Sequence, residues 1–168
     1  MTRRLILIRW SFYGAVTLLI LLLQSQLLGR FTIWGVYPVI IPCMAAVVAT
    51  LEPPRHATVF ALVLGAISDT LFTAPMVCFY VLVCVVATGV SVMVARHLVM
   101  PGFRCSLACC AIALLLCGGL SAVTMLHRGA EIATVVGLLL RETIVSLPFA
   151  VVLTHPGFTH FHRITSPR

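Results

Sequence analysis

The chain has 168 residues, of which 61% are hydrophobic and only 9% charged, and its mean hydropathy is +1.16. Soluble domains average about 45–50% apolar and about 25% charged residues, so this composition excludes an ordinary soluble protein, a disordered chain and a secreted disulfide scaffold. The net charge of +7 comes from eleven Arg and no Lys, set singly between apolar runs, which excludes nucleic acid as a partner because a duplex-binding surface needs clustered cations.

Lipid is therefore the main solvent. A helix needs about 20 apolar residues to cross the hydrocarbon core, and with short turns each crossing takes about 28, which predicts roughly six spans.

The first predicted span, 12–28, follows Arg3, Arg4 and Arg9 and ends in QSQLLGR. No small-residue A-x-A site follows it, so the start reads as an uncleaved span rather than a signal peptide. The second, 35–51, carries Pro38 and Pro42 near its beginning and stops at EPPRH. Each proline removes a backbone donor, so this span is short or bent, and its first turns need hydrogen bonds from neighbouring helices or the interface. The third, 57–72, contains Gly65 and ends in SDTLFTAP, with Asp69 inside it and Pro75 after it. The fourth, 77–95, stops at Arg96 and His97.

In the fifth span, 106–125, Gly118 and Gly119 either let helices approach closely or break the helix. The sixth, 132–153, holds the adjacent Arg141 and Glu142 near its middle. An ionisable group at that depth costs on the order of 2.5–3.5 kcal/mol by insertion scales. Either at least one of the two faces the bundle interior, or the span tilts and Arg141 snorkels outward.

The pattern predicts an all-α integral membrane protein, a single transmembrane domain over residues 1–168. With the N-terminus in the cytoplasm, Arg3, Arg4, Arg9, Arg55, Arg96, Arg104, Arg163 and Arg168 lie inside and only Arg30 and Arg128 outside. The positive-inside rule then places both termini in the cytoplasm.

The intramembrane polar candidates are Gln24, Asp69, Arg141 and Glu142. Asp69 either contacts another span or a partner, or caps the backbone of the turn leading to Pro75. At a rise of about 1.5 Å per residue, Asp69 sits about 5 Å and Arg141 about 14 Å below the outer boundary, so a long Arg spans much of the gap. An Asp69–Arg141 interaction joined by Gln24 is the sharper expectation. The seven cysteines lack a CxxC pair and read as small apolar fillers. No cofactor, metal site or catalytic constellation is expected, and His160 and His162 read as an exposed polar end.

Taken in order, LLLQSQLLG around Gln24, WGVYPVIIP around Pro38, GAISDTLFTAP with Gly65, Asp69 and Pro75, and LLLRETIVSLPFAVVL resemble the rod shape-determining MreD family. The resemblance covers nearly the whole chain. It departs from the family at Val39, where a polar residue is frequent, and at Met76 and Val77, where a glycine is frequent. It implies a non-enzymatic scaffold of cell-wall elongation in the bacterial inner membrane, acting with MreC, MreB, RodA and the elongation-specific penicillin-binding transpeptidase. A different reading is a substrate-binding membrane subunit similar to those of energy-coupling-factor vitamin transporters, which are also six-span proteins. Gln24, Asp69, Arg141 and Glu142 would then line a cavity, although the outer loops are short for a substrate lid.

Overall fold

The computed structural model describes residues 3–28, 36–73, 76–97 and 103–154. Pro75, Arg30 and the tail histidines lie outside the described residues. The elements are α1 (Arg3–Leu22), prolonged by a π-helical segment (Leu23–Leu28), then α2 (Ile41–Leu51), α3 (Pro54–Leu71), α4 (Phe79–His97), α5 (Phe103–His127) and α6 (Ile132–Leu153). Four apolar helical stretches are long enough to cross a membrane: Leu7–Gln26, Phe79–Arg96, Phe103–His127 and Ile132–Leu153. The chain is a multi-pass membrane protein.

Two of the expected spans differ from this simple form. The predicted span 35–51 is helical only from Ile41, because Pro38 and Pro42 deny the backbone two donors, and residues 36–40 run outside any helix. Eleven helical residues rise about 16 Å, half of a bilayer core. The predicted span 57–72 becomes α3, which starts at Pro54 and so takes Arg55 and His56 into its first turn. Proline is favoured at that position because its missing donor would be unpaired there anyway. The first helix also begins earlier than the predicted 12–28, taking Arg9 into its length. The sixth helix has the predicted bounds.

The short α2 is the centre of the bundle. Every residue from Ile41 to Ala49 is buried, as expected of a helix that is apolar on all sides. On one side Ile41, Met44 and Val48 pack with Ile20 and Leu21 of α1, Leu64 of α3 and Cys84 of α4. On the other, Cys43 and Val47 pack with Cys105, Cys109 and Ala113 of α5 and Ala150 of α6. Cys43, Cys84, Cys105, Cys109 and Cys110 serve as small fillers in these contacts, whereas Cys78 is exposed, and among the described residues no group of His, Cys, Asp and Glu is placed to hold a metal. Outward faces remain apolar: Leu18, Leu19, Val59, Val63, Ile144 and Val152 are all exposed. In lipid such faces meet a matching solvent.

Helix α3 packs along α4, and the two come close at Gly65. A Cβ there would meet the Val81 Cα at 2.5 Å and the Tyr80 carbonyl oxygen at 3.0 Å, so the two backbones touch in the way small residues permit between membrane helices. The other paired glycines behave differently. A Cβ on Gly118 would press on the Leu139 side chain at 3.2 Å, while Gly119 has no neighbour within 4 Å. Helix α5 runs unbroken past both, which leaves close approach, at Gly118, as the one of the two alternatives that describes the geometry: two glycines lower helix propensity by about 1 kcal/mol each, and packing on α4 and α6 overrides that. Gly65→Val should therefore destabilise the protein by about 1–3 kcal/mol through overpacking, while Gly119→Ala should stabilise it by up to about 1 kcal/mol through helix propensity. Thermal unfolding followed by size-exclusion of the detergent-solubilised variants reads the difference.

Candidate functional site

Three polar side chains inside the bundle, Gln24, Asp69 and Ser146, meet the starts of neighbouring helices. The first four N–H groups of a helix have no partner within it, and within a membrane there is no water to supply one. Helix α2 begins well inside the bundle after the non-helical residues 36–40. Pro38 and Pro42 carry no N–H. Of the other donors, Val39 N–H is accepted by Ser146 Oγ at 2.9 Å, Ile40 N–H by Gln24 Oε1 at 3.3 Å, and Cys43 N–H by the Ile40 carbonyl at 3.0 Å. Ser146 comes from α6 and Gln24 from the π-helical end of α1, and both are buried. Helix α2 is thus capped by two other helices rather than by its own sequence.

Asp69 does the same for α4. Its Oδ1 accepts the Tyr80 N–H at 3.0 Å and its Oδ2 the Val81 N–H at 3.1 Å. These are the second and third residues of α4, where a carboxylate also complements the positive end of the helix dipole. Gly65 lies one turn earlier on α3, so a single stretch of that helix both permits the close approach and bonds the donors it brings near. The turn before α4 places Cys78 at φ 58, a left-handed conformation that favours glycine.

Asp69 and Arg141 form no ion pair. The Asp69 carboxylate is held by the α4 backbone, and Arg141 is exposed on the outer face of α6. Of the two expectations for Asp69, contact with another span describes the geometry, although the contact is with backbone and not with Arg141. The expected membership of Gln24 in that pair gives way to its bond with Ile40.

Glu142 is half-buried and points elsewhere. It lines a cleft of about 600 Å³ together with Gln24, Val39, Phe72, Tyr80 and Leu138. Residues from the ends of α1, α3 and α5, the start of α4 and the first half of α6 meet there.

A second polar cluster lies at the opposite end of α2. Glu52, just past the helix, is fully buried at its side chain; Oε1 lies 2.9 Å from Arg9 Nε and accepts the Tyr13 hydroxyl at 3.1 Å. The sequence pattern assigned Arg9 to topology and Glu52 to a turn, so this triad was missed, as was Ser146. One signal was present: the chain has only four acidic residues against eleven Arg, and three of them, Glu52, Asp69 and Glu142, are buried or half-buried.

Asp69→Ala should cost about 0.5–2 kcal/mol, the range for a lost helix cap, and Asp69→Asn, which keeps one acceptor, should cost less. Arg141→Gln combined with Asp69→Ala should be additive within about 0.5 kcal/mol. Unfolding midpoints of the single and double variants in one detergent measure both effects.

No protein-family model matches the chain, and neither does a curated protein or a solved structure.

Proposed function

We propose that the protein is a non-enzymatic scaffold of the bacterial cell-wall elongation machinery, similar to MreD. In this reading it resides in the inner membrane, crosses it six times with both termini in the cytoplasm, and holds MreC, with MreB, RodA and the elongation-specific transpeptidase in the wider complex.

One observation carries the reading. The four stretches on which the resemblance rests are spread from residue 21 to residue 153 and converge in space: Gln24 from the first, Val39 and Ile40 from the second, Asp69 from the third, and Ser146 with Glu142 from the fourth surround the starts of α2 and α4. Residues that set one shared architecture are what a family of scaffolds would hold in common. The polar side chains of Gln24, Asp69 and Ser146 are occupied by backbone donors, which suits a role in shape rather than in turnover. The Arg distribution supports the six-span topology of this reading.

Tagged protein, gently solubilised and compared by quantitative mass spectrometry with an unrelated six-span control, should enrich MreC. Recovery of transporter ATPase subunits in place of MreC would overturn the scaffold reading, as would no enrichment at all.

A further inference from the structure

We propose that the cleft beside Glu142 binds a small organic cation, an alkylammonium whose positive head pairs with the Glu142 carboxylate and packs on the rings of Phe72 and Tyr80.

The cleft is large enough, at about 600 Å³, to fall within the range of small-molecule sites, about 300–1,000 Å³. Its charge is one-sided. Among the described residues, Glu142 is the one acidic residue that lines it, no basic residue does, and no hydrogen bond or ion pair reaches the Glu142 carboxylate. Arg141 is adjacent in sequence, but successive residues point about 100° apart on a helix, and Arg141 is exposed on the other face. An anionic ligand would be repelled here, and a neutral apolar one would bury the carboxylate without a partner, which is the costly outcome.

The remaining lining selects an organic cation over a metal ion. Hard cations require six or more oxygen ligands, whereas Gln24 Oε1 already accepts the Ile40 N–H and among the described residues no other acidic residue lines the cleft. Aromatic groups are plentiful instead: Tyr37, Phe72 and Tyr80 all line it, and the Phe72 and Tyr80 rings lie 6.0 Å apart. Aromatic faces attract an alkylammonium through their quadrupole, more strongly where water is excluded. Leu138, one turn before Glu142 on α6, closes the apolar side.

A ligand here is independent of the scaffold role, since failure to enrich MreC leaves the cleft unchanged and failure to bind a cation leaves the scaffold contacts unchanged. The test is isothermal titration calorimetry of the full chain in lipid nanodiscs with tetramethylammonium, choline and butylammonium, and with dimethylbutanol, the uncharged carbon isostere of choline. At least one ammonium probe should bind saturably and the isostere should not. Glu142→Gln should weaken that binding by roughly tenfold or more, and Leu138→Trp, which fills the cleft and keeps the carboxylate, should abolish it. Arg141→Gln should leave it unchanged. Equal binding of choline and its isostere, undiminished binding by folded Glu142→Gln or Leu138→Trp, or no binding of any ammonium probe would overturn the proposal.

Discussion

A backbone N–H inside a bilayer has to find an acceptor in the protein, and the architecture of this bundle follows from where those acceptors are placed. The starts of α2 and α4 lie against neighbouring helices, and their donors are met by side chains from α1, α6 and α3: Gln24, Ser146 and Asp69. An unmet donor costs several kcal/mol in hydrocarbon, more than any one of these side chains costs to bury once bonded. Polar residues that look out of place on an apolar helix are therefore the means by which a neighbouring helix is allowed to begin.

The same constraint explains why the most buried helix is the shortest. Helix α2 is short and enclosed by its neighbours, so its ends meet side chains of other helices. One end is capped by Gln24 and Ser146, and the other is followed by Glu52, which meets Arg9 and Tyr13 of α1. Helix α1 thus reaches both ends of α2, with its basic residue toward the terminus and its amide on the π-helical turn at the far end. A buried ion pair of this kind contributes little net stability against an apolar replacement, but removal of one partner leaves a buried charge alone and is strongly destabilising.

Composition and hydropathy made the membrane class and the helical fold legible, and the two prolines marked the broken span, because proline acts on its own backbone. Gly65 and Asp69 were legible as residues but not as a unit, since what they touch, the first turn of α4, is separated from them by a turn of the chain. The pairing assigned to Asp69 was mistaken for a related reason: charge suggests Arg141 as its partner, whereas two backbone donors lie closer and need it more. Glu52 with Arg9 was hidden because 43 residues separate them and each has an ordinary reading in its own segment. Ser146 gave no signal at all, as serine in an apolar helix is common and its Oγ becomes informative only beside Val39.

The central claim is that specific side chains cap specific amides across helices. Hydrogen–deuterium exchange resolved to single amides in lipid nanodiscs tests it most directly. Val39, Ile40, Tyr80 and Val81 should all exchange slowly in the unaltered protein. Ser146→Ala should accelerate Val39 by roughly tenfold, the equivalent of one hydrogen bond, and leave Tyr80 and Val81 slow, while Asp69→Ala should do the reverse. Fast exchange at these four amides in the unaltered protein, or exchange that neither substitution changes, would contradict the account.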